Sequence, residues 1–127
     1  MAPLVRLDTH VVVWLFTGDV ERLSEAAVDA LESEEISISP LVQLELTYLA
    51  EIGRLTVPAE RIVTDLSGRL GLTISGLGVS ELVREAAALS WTRDPFDRLI
   101  VADAIAAGCP LVTKDAEIRR HTDVALW

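Results

Sequence analysis

An α/β fold, a three-layer α/β/α sandwich around a central parallel sheet, is predicted by three observations. Short apolar runs alternate with longer helical segments along the whole chain. The segments between successive runs are long enough for helical crossovers, which parallel neighbours require and hairpins do not. Capping residues and glycines mark nearly every boundary. Sheets of this kind bind ligands in a crevice outside the carboxyl ends of their strands.

The elements follow in order. Leu4–Leu7 is an apolar run ending at Asp8 and reads as a buried strand. Thr9–Phe16 reads as a short helix closed by Gly18, and Ser24–Ser33 as an amphipathic helix capped by Ser24. Ile36–Ile38 is a second strand. Ser39-Pro40 then opens a helix, because serine caps well and proline is tolerated in the first turn. That helix runs to about Ile52 and stops at Gly53. Pro58–Leu70 is a helix ending at Gly71, Leu72–Ser75 a strand and Val79–Ser90 a helix. Asp94-Pro95 repeats the cap-then-proline signature and starts Phe96–Ala107, which Gly108 ends. Leu111–Thr113 and Val124–Leu126 are the remaining strands.

The 127 residues suit one domain, taken as 1–127. With 50% hydrophobic and 24% charged residues, the composition excludes a disordered tail, a collagen-like fibre and a coiled coil. Val11–Phe16, the longest apolar stretch near the start, is far short of the roughly 20 residues of a membrane span, so no membrane partner is expected. Met1–Arg6 has no long apolar block, so no signal peptide is read there. A single cysteine, Cys109, permits no internal disulfide, and the expected compartment is the reducing cytoplasm. The net charge of −9 argues against coating nucleic acid non-specifically, since phosphate affinity comes from clustered Lys and Arg. The charge is uneven: residues 1–90 hold 14 acids and 6 bases, residues 91–127 hold 6 acids and 5 bases. A small basic rim around an acidic site is compatible with that distribution.

Four acids fall where one crevice can share them. Asp8 directly follows the first strand, and Asp115 follows the strand Leu111–Thr113. Each also suits a helix N-cap. Glu45 lies one turn into its helix, with Leu41, Val42, Tyr48, Leu49 and Ile52 within about 60° of it on a helical wheel. A carboxylate in the middle of an apolar face needs a partner, a proton or a metal; an arginine is the alternative partner. Asp97 repeats the pattern with Ile100, Val101, Ala104 and Ile105, while Asp103 points away from that face. Asp97 also suits a weak capping box with Asp94, and Asp94 is read as a cap before it is read as a ligand.

Clustered like charges repel, and a divalent cation removes that cost. Oxygen-only ligands select Mg²⁺ or Mn²⁺ over zinc, and His10, His121 and Cys109 form no zinc set. Mg²⁺ on a few carboxylates suits phosphate chemistry, with Thr9 and Thr113 placed to hydrogen-bond the ligands. His10 reads as a structural or surface side chain.

The segments Leu7-Asp8-Thr9-His10, Ser39-Pro40 through Glu45 to Gly53-Arg54-Leu55, Asp94-Pro95-Phe96-Asp97-Arg98-Leu99-Ile100 and Leu111-Val112-Thr113-Lys114-Asp115 together resemble the PIN-domain family. The resemblance is closest to toxin subunits of VapBC-type toxin–antitoxin modules. It implies a single α/β/α domain with a parallel sheet and a Mg²⁺- or Mn²⁺-dependent endoribonuclease. The acidic quartet would fall on Asp8, Glu45, Asp97 and Asp115, with Asp94 in the same motif. The resemblance also implies a cytoplasmic homodimer bound and inhibited by a cognate antitoxin, with RNA as substrate. Arg93, Arg98 and Lys114 are the candidates for gripping phosphate.

Two other classes compete. An aspartyl-phosphate phosphatase wants Asp-x-Asp after the first strand, where this chain reads Asp8-Thr9-His10, and a phosphoacceptor receiver wants an acidic pair there. A non-catalytic binding module would use the acids as caps and ion pairs only.

Overall fold

The computed structural model describes residues 3–127; Met1 and Ala2, the start of the expected domain and of the stretch read for a leader, lie outside the described residues. Five strands, β1 (Leu4–Leu7), β2 (Glu35–Ile38), β3 (Thr73–Ile74), β4 (Leu111–Val112) and β5 (Ala125–Leu126), form one sheet in the order β3-β2-β1-β4-β5. Every pairing in it is parallel. The helices are α1 (Thr9–Thr17), α2 (Glu25–Ser33), α3 (Pro40–Glu51), α4 (Ala59–Leu70), α5 (Val79–Ala86), α6 (Pro95–Ala107) and α7 (Ala116–His121), with a 3₁₀ turn at Val20–Arg22. Among the described residues no helix is long and apolar enough to cross a membrane.

The strand order fixes the layers. From β1 the chain steps outward to β2 and β3, then crosses back to β4 and steps outward the other way to β5. Right-handed crossovers therefore put α1 to α4 on one face and α5 to α7 on the other. The packing agrees, with α1 and α3 against α4 and α5 against α6. The order reverses between β1 and β4, and there the parallel sheet opens its crevice. Leu7, Ile38, Leu111 and Val112 of the sheet are buried with Val12, Leu46 and Leu66 from one layer and Ile100, Val101 and Ile118 from the other.

The predicted boundaries hold where a local signal exists. Ser24 accepts from the Ala27 N–H and Ser39 from the Leu41 N–H, so both serines cap as expected. Gly71 and Gly108 end α4 and α6 at φ 71° and 67°, a left-handed backbone that glycine enters without a Cβ clash. Two elements differ. Helix α5 stops at Ala86, short of Ser90, because the Arg98 guanidinium takes the terminal carbonyls of Ala86 and Ala87 at 3.0 and 3.5 Å. Helix α7 was not expected: its six residues carry one buried apolar side chain, Ile118, too few to make a period. It is held by its ends, with Asp115 as N-cap and Arg119, Arg120 and His121 in its last turn, where the dipole favours cations.

The two apolar faces also need correction. The buried stripe of α3 runs through Val42 and Leu46, while Leu44, Tyr48 and Ile52 are exposed, so Glu45 sits half-buried at the edge of the core face rather than in its middle. Helix α6 is the inner helix of its layer, buried at Ile100, Val101, Ala102, Asp103 and Ala104. Asp103 is therefore fully enclosed although it lies off the face centred on Asp97. Its partner is Arg6, a cation inside the first strand, with Nε donating to Asp103 Oδ1 at 2.7 Å and Nη1 to Ser37 Oγ at 2.6 Å. Ser37 stands beside Arg6 in register and donates in turn to the Val5 carbonyl.

Removing one partner from a buried pair strands the other charge. Asp103→Ala is expected to cost about 3–5 kcal/mol, read as a lowered urea midpoint. Breaking the surface pair Asp65–Arg69 by Asp65→Ala should leave that midpoint nearly unmoved. Equal losses in the two variants would contradict the assignment.

Candidate functional site

Asp8, Glu45, Asp94, Asp97 and Asp115 stand within electrostatic reach of one another at the carboxyl edge of β1 and β4. The register sets Leu7 against Val112, and the Asp8 N–H donates to the Val112 carbonyl at 3.0 Å, so the chain leaves both strands at the same level. Asp8 caps α1, accepting from the Thr9 N–H at 2.8 Å through Oδ1, and Thr113 Oγ1 donates to its Oδ2 at 2.6 Å. Thr113 Oγ1 also accepts from the Asp115 N–H at 3.1 Å, so one hydroxyl ties the first acid to the last. Thr9 Oγ1 donates to Glu45 Oε1 at 2.5 Å, joining α1 to α3. Thr9, buried, thus bridges the Asp8 and Glu45 carboxylates, and Thr113, also buried, joins the Asp8 carboxylate to the Asp115 backbone.

Asp94 and Asp115 are N-caps. Asp94 Oδ1 accepts from the Phe96 and Asp97 N–H groups, and Asp115 Oδ1 from the Ile118 N–H. Capping leaves part of a carboxylate's acceptor capacity open, since its two oxygens offer about four lone pairs. Among the described residues no hydrogen bond reaches the Asp97 carboxylate. A ring stack ties the two acid-bearing segments together: Trp91, ahead of α6, lies parallel to His121 at the end of α7, with centroids 4.9 Å apart and planes 2° apart.

The electrostatics show a shared field. Burial raises the Asp97 carboxyl from its ordinary 3.8 to about 7, aided by repulsion from Asp94, Asp8, Asp115 and Glu45. Burial also raises Asp8, against the lowering effect of Thr113 and the Thr9 N–H. Glu45 is raised by burial and by the charges of Asp8 and Asp94, against the Thr9 hydrogen bond. His10 opposes the shifts of both Asp8 and Glu45, so it stands within electrostatic reach of the cleft although its ring is exposed. Its place two residues after Asp8 was the available signal.

The basic candidates separate. Lys114 is exposed beside Asp115, and Arg93 is exposed with Nη1 on the Ser90 carbonyl at 3.4 Å. Arg98 does not join them. Its guanidinium is spent on the Ala86 and Ala87 carbonyls, so the expectation that it grips phosphate gives way to a role in closing α5. Among the described residues no three His, Cys, Asp or Glu side chains are grouped tightly enough to hold a metal ion as they stand. The donor set is nonetheless all oxygen, which suits a hard divalent cation. Mg²⁺ needs only one or two carboxylates, completing its shell with water and substrate oxygens.

Known proteins share this family and fold. The family model described as PIN domain matches residues 5–124. Ribonuclease VapC22 of Mycobacterium tuberculosis is 36% identical over 97% of this chain and 98% of that protein. Similar solved structures include a toxin–antitoxin complex from Klebsiella pneumoniae, with TM-score 0.66 and 19% identity over 95% of this chain and 94% of that one. Another is VapBC2 from Rickettsia felis bound to a DNA fragment from its promoter, with TM-score 0.60 and 21% identity over 92% of each chain. At those identities the structural likenesses speak to the fold.

The raised carboxyls predict a pH dependence whose sign is fixed by linkage. The folded chain holds the Asp97 proton up to about 7, the unfolded chain only to 3.8. The stability that proton brings is complete below the lower value and is lost as pH rises through the upper one. In EDTA, the melting temperature should fall between pH 5 and pH 8. Asp97→Asn should flatten that fall and melt higher at pH 8, by roughly 2–8 °C. An equal fall in the variant would assign the effect elsewhere.

Proposed function

The chain belongs to the PIN domain family, and on that premise we propose that it is a Mg²⁺- or Mn²⁺-dependent endoribonuclease, the toxin of a toxin–antitoxin pair, formed by residues 1–127 as a single domain. The observation that carries the reading is the acidic cluster at the β1–β4 crevice: burial, aided by carboxylates from four separate segments, pushes Asp97 to about 7. Membership in this family, with Asp8-Thr9-His10 in place of Asp-x-Asp, sets aside the aspartyl-phosphate alternative.

In this reading Asp8, Glu45, Asp97 and Asp115 are the metal-binding acidic quartet, with Asp94 at its margin. A bound divalent ion would supply a Lewis acid for the phosphate and would acidify a water so that it can be deprotonated to the attacking hydroxide. The chain's own part is positional. Thr113 and the Thr9 N–H fix the Asp8 carboxylate, the Thr9 hydroxyl fixes Glu45, and the Asp97 carboxylate is left without a competing donor. Asp8 and Asp115 cap α1 and α7, and Asp97 lies in the first turn of α6, where the helix dipoles favour negative charge. Lys114 and Arg93 are the cations placed to meet phosphates of the strand.

Two apolar surfaces fit the partners. A groove of about 410 Å³ between α1, α2 and the end of α4 is lined by Leu15, Leu23, Val28, Leu31 and Leu70, with Glu21 and Glu32 beside it. It suits an amphipathic antitoxin segment with basic flanks. Exposed Leu44, Tyr48 and Ile52, one turn apart, share a side of α3, where Tyr48 meets Phe96 in the first turn of α6 at 5.9 Å. That face suits a second copy of the chain, as a self-complementary two-fold contact.

Purified protein is expected to cleave RNA with Mg²⁺ or Mn²⁺ and to stop in EDTA. Asp97→Asn should reduce cleavage to background while folding normally, and Thr113→Val should slow it about 10–100-fold. Mg²⁺ should raise the melting temperature of the unaltered protein and not of Asp97→Asn. Undiminished cleavage by Asp97→Asn would remove that residue from the site.

A further inference from the structure

The rim of the cleft beside α1 gathers side chains that the carboxylate chemistry does not use. Trp14 stands one turn after His10 on α1, their centroids 6.1 Å apart and their planes tilted by 45°. Trp127, just past β5, lies 6.2 Å from Trp14 at 56°. The Arg22 guanidinium and the Lys114 ammonium lie over the Trp14 ring, 5.9 and 6.0 Å from its centroid. Two of the three tryptophans, one of the two histidines and the only lysine of the sequence meet at this place.

Packing explains only the inner side of the group. Trp14 and Trp127 are half-buried against the core. His10, Arg22 and Lys114 are exposed, and Lys114 forms no ion pair among the described residues. In a chain of net charge −9 this is a local meeting of aromatic rings and cations. It adjoins the acids directly, since Lys114 lies between Thr113 and Asp115 and His10 follows Thr9.

We infer that this rim is a stacking platform for unpaired bases of single-stranded RNA, next to the phosphodiester held at the acidic cleft. The inference rests on the endoribonuclease reading and specifies the form of RNA that this site takes. His10 and Trp127 offer ring faces to the bases, and Lys114 and Arg22 meet the neighbouring phosphates. Rings accept any base, because every base has a π-face, while the cations follow the backbone. Bases in a duplex are stacked on one another and are not offered to such a surface; those of loops and single strands are.

The test compares a short oligoribonucleotide with an abasic ribose-phosphate strand of the same length, which carries the diesters but no ring to stack. The ratio of kcat/KM for the oligoribonucleotide to that for the abasic strand is expected to fall about tenfold in His10→Ala and in Trp127→Leu, chiefly through KM. Trp127→Phe, which keeps a ring, should stay near the unaltered protein. A merely space-filling Trp127 would tolerate Leu as well as Phe. An unchanged ratio in His10→Ala and Trp127→Leu, or equal losses on both substrates, overturns the platform. If the unaltered protein cleaves neither substrate, the nuclease reading fails and binding decides the platform separately. In Trp91→Phe protein only Trp14 and Trp127 emit. Quenching of that emission by the unpaired strand, and not by the same strand annealed to its complement, sustains the platform; no quenching overturns it.

Discussion

Pairing of β1 with β4, in a register that sets Leu7 against Val112, is the constraint on which the cleft depends. It brings Asp8 and Thr113 level at one edge of the sheet, and the hydroxyl of Thr113 then links Asp8 to the backbone of Asp115. A slip of one residue would reverse the facing of every side chain on either strand. The pairing is buried on both faces and anchored beneath by Arg6, whose guanidinium reaches Ser37 on β2 and Asp103 on α6. One cation thus joins the central strand, its neighbour and the inner helix of one layer.

The upper edge works with the opposite sign. Asp8, Asp94 and Asp115 satisfy the N–H groups that begin α1, α6 and α7, so the capping reading and the site reading describe the same side chains. Capping sets where each carboxylate stands; crowding sets how strongly it resists ionisation. Asp97 feels the crowding most, because burial and four neighbouring acids act on it together. That resistance lowers the stability of the folded chain at neutral pH, a cost of the kind that functional sites carry at the expense of the fold. The Trp91–His121 stack and the grip of Arg98 on α5 steady the segments that carry Asp97 and Asp115.

Much of this was legible in the residues in order. Ser24 and Ser39 announced their helices, and Gly71 and Gly108 ended theirs, because caps and stops act within a few residues. Asp8 and Asp115 could be placed at the sheet edge because one directly follows a strand and the other comes within a few residues of one. The α3 face was misjudged for a physical reason. A wheel finds the apolar side of a helix but not which part of it the sheet covers, so Leu44, Tyr48 and Ile52, though apolar, lie outside. Arg98 carried no local sign that the carbonyls of Ala86 and Ala87 would claim it.

The sequence by itself determined the parallel α/β class and, α7 apart, the order of strands and helices, since periodicity and capping are local properties. Tertiary structure alone decided the strand order, the enclosure of Asp103 with Arg6, the existence of α7 and the gathering of His10, Trp14, Lys114 and Trp127. Each of these joins residues far apart in the chain, or rests on contacts that a six-residue segment cannot supply for itself. Burial and charge acquire their value only when those distant segments meet.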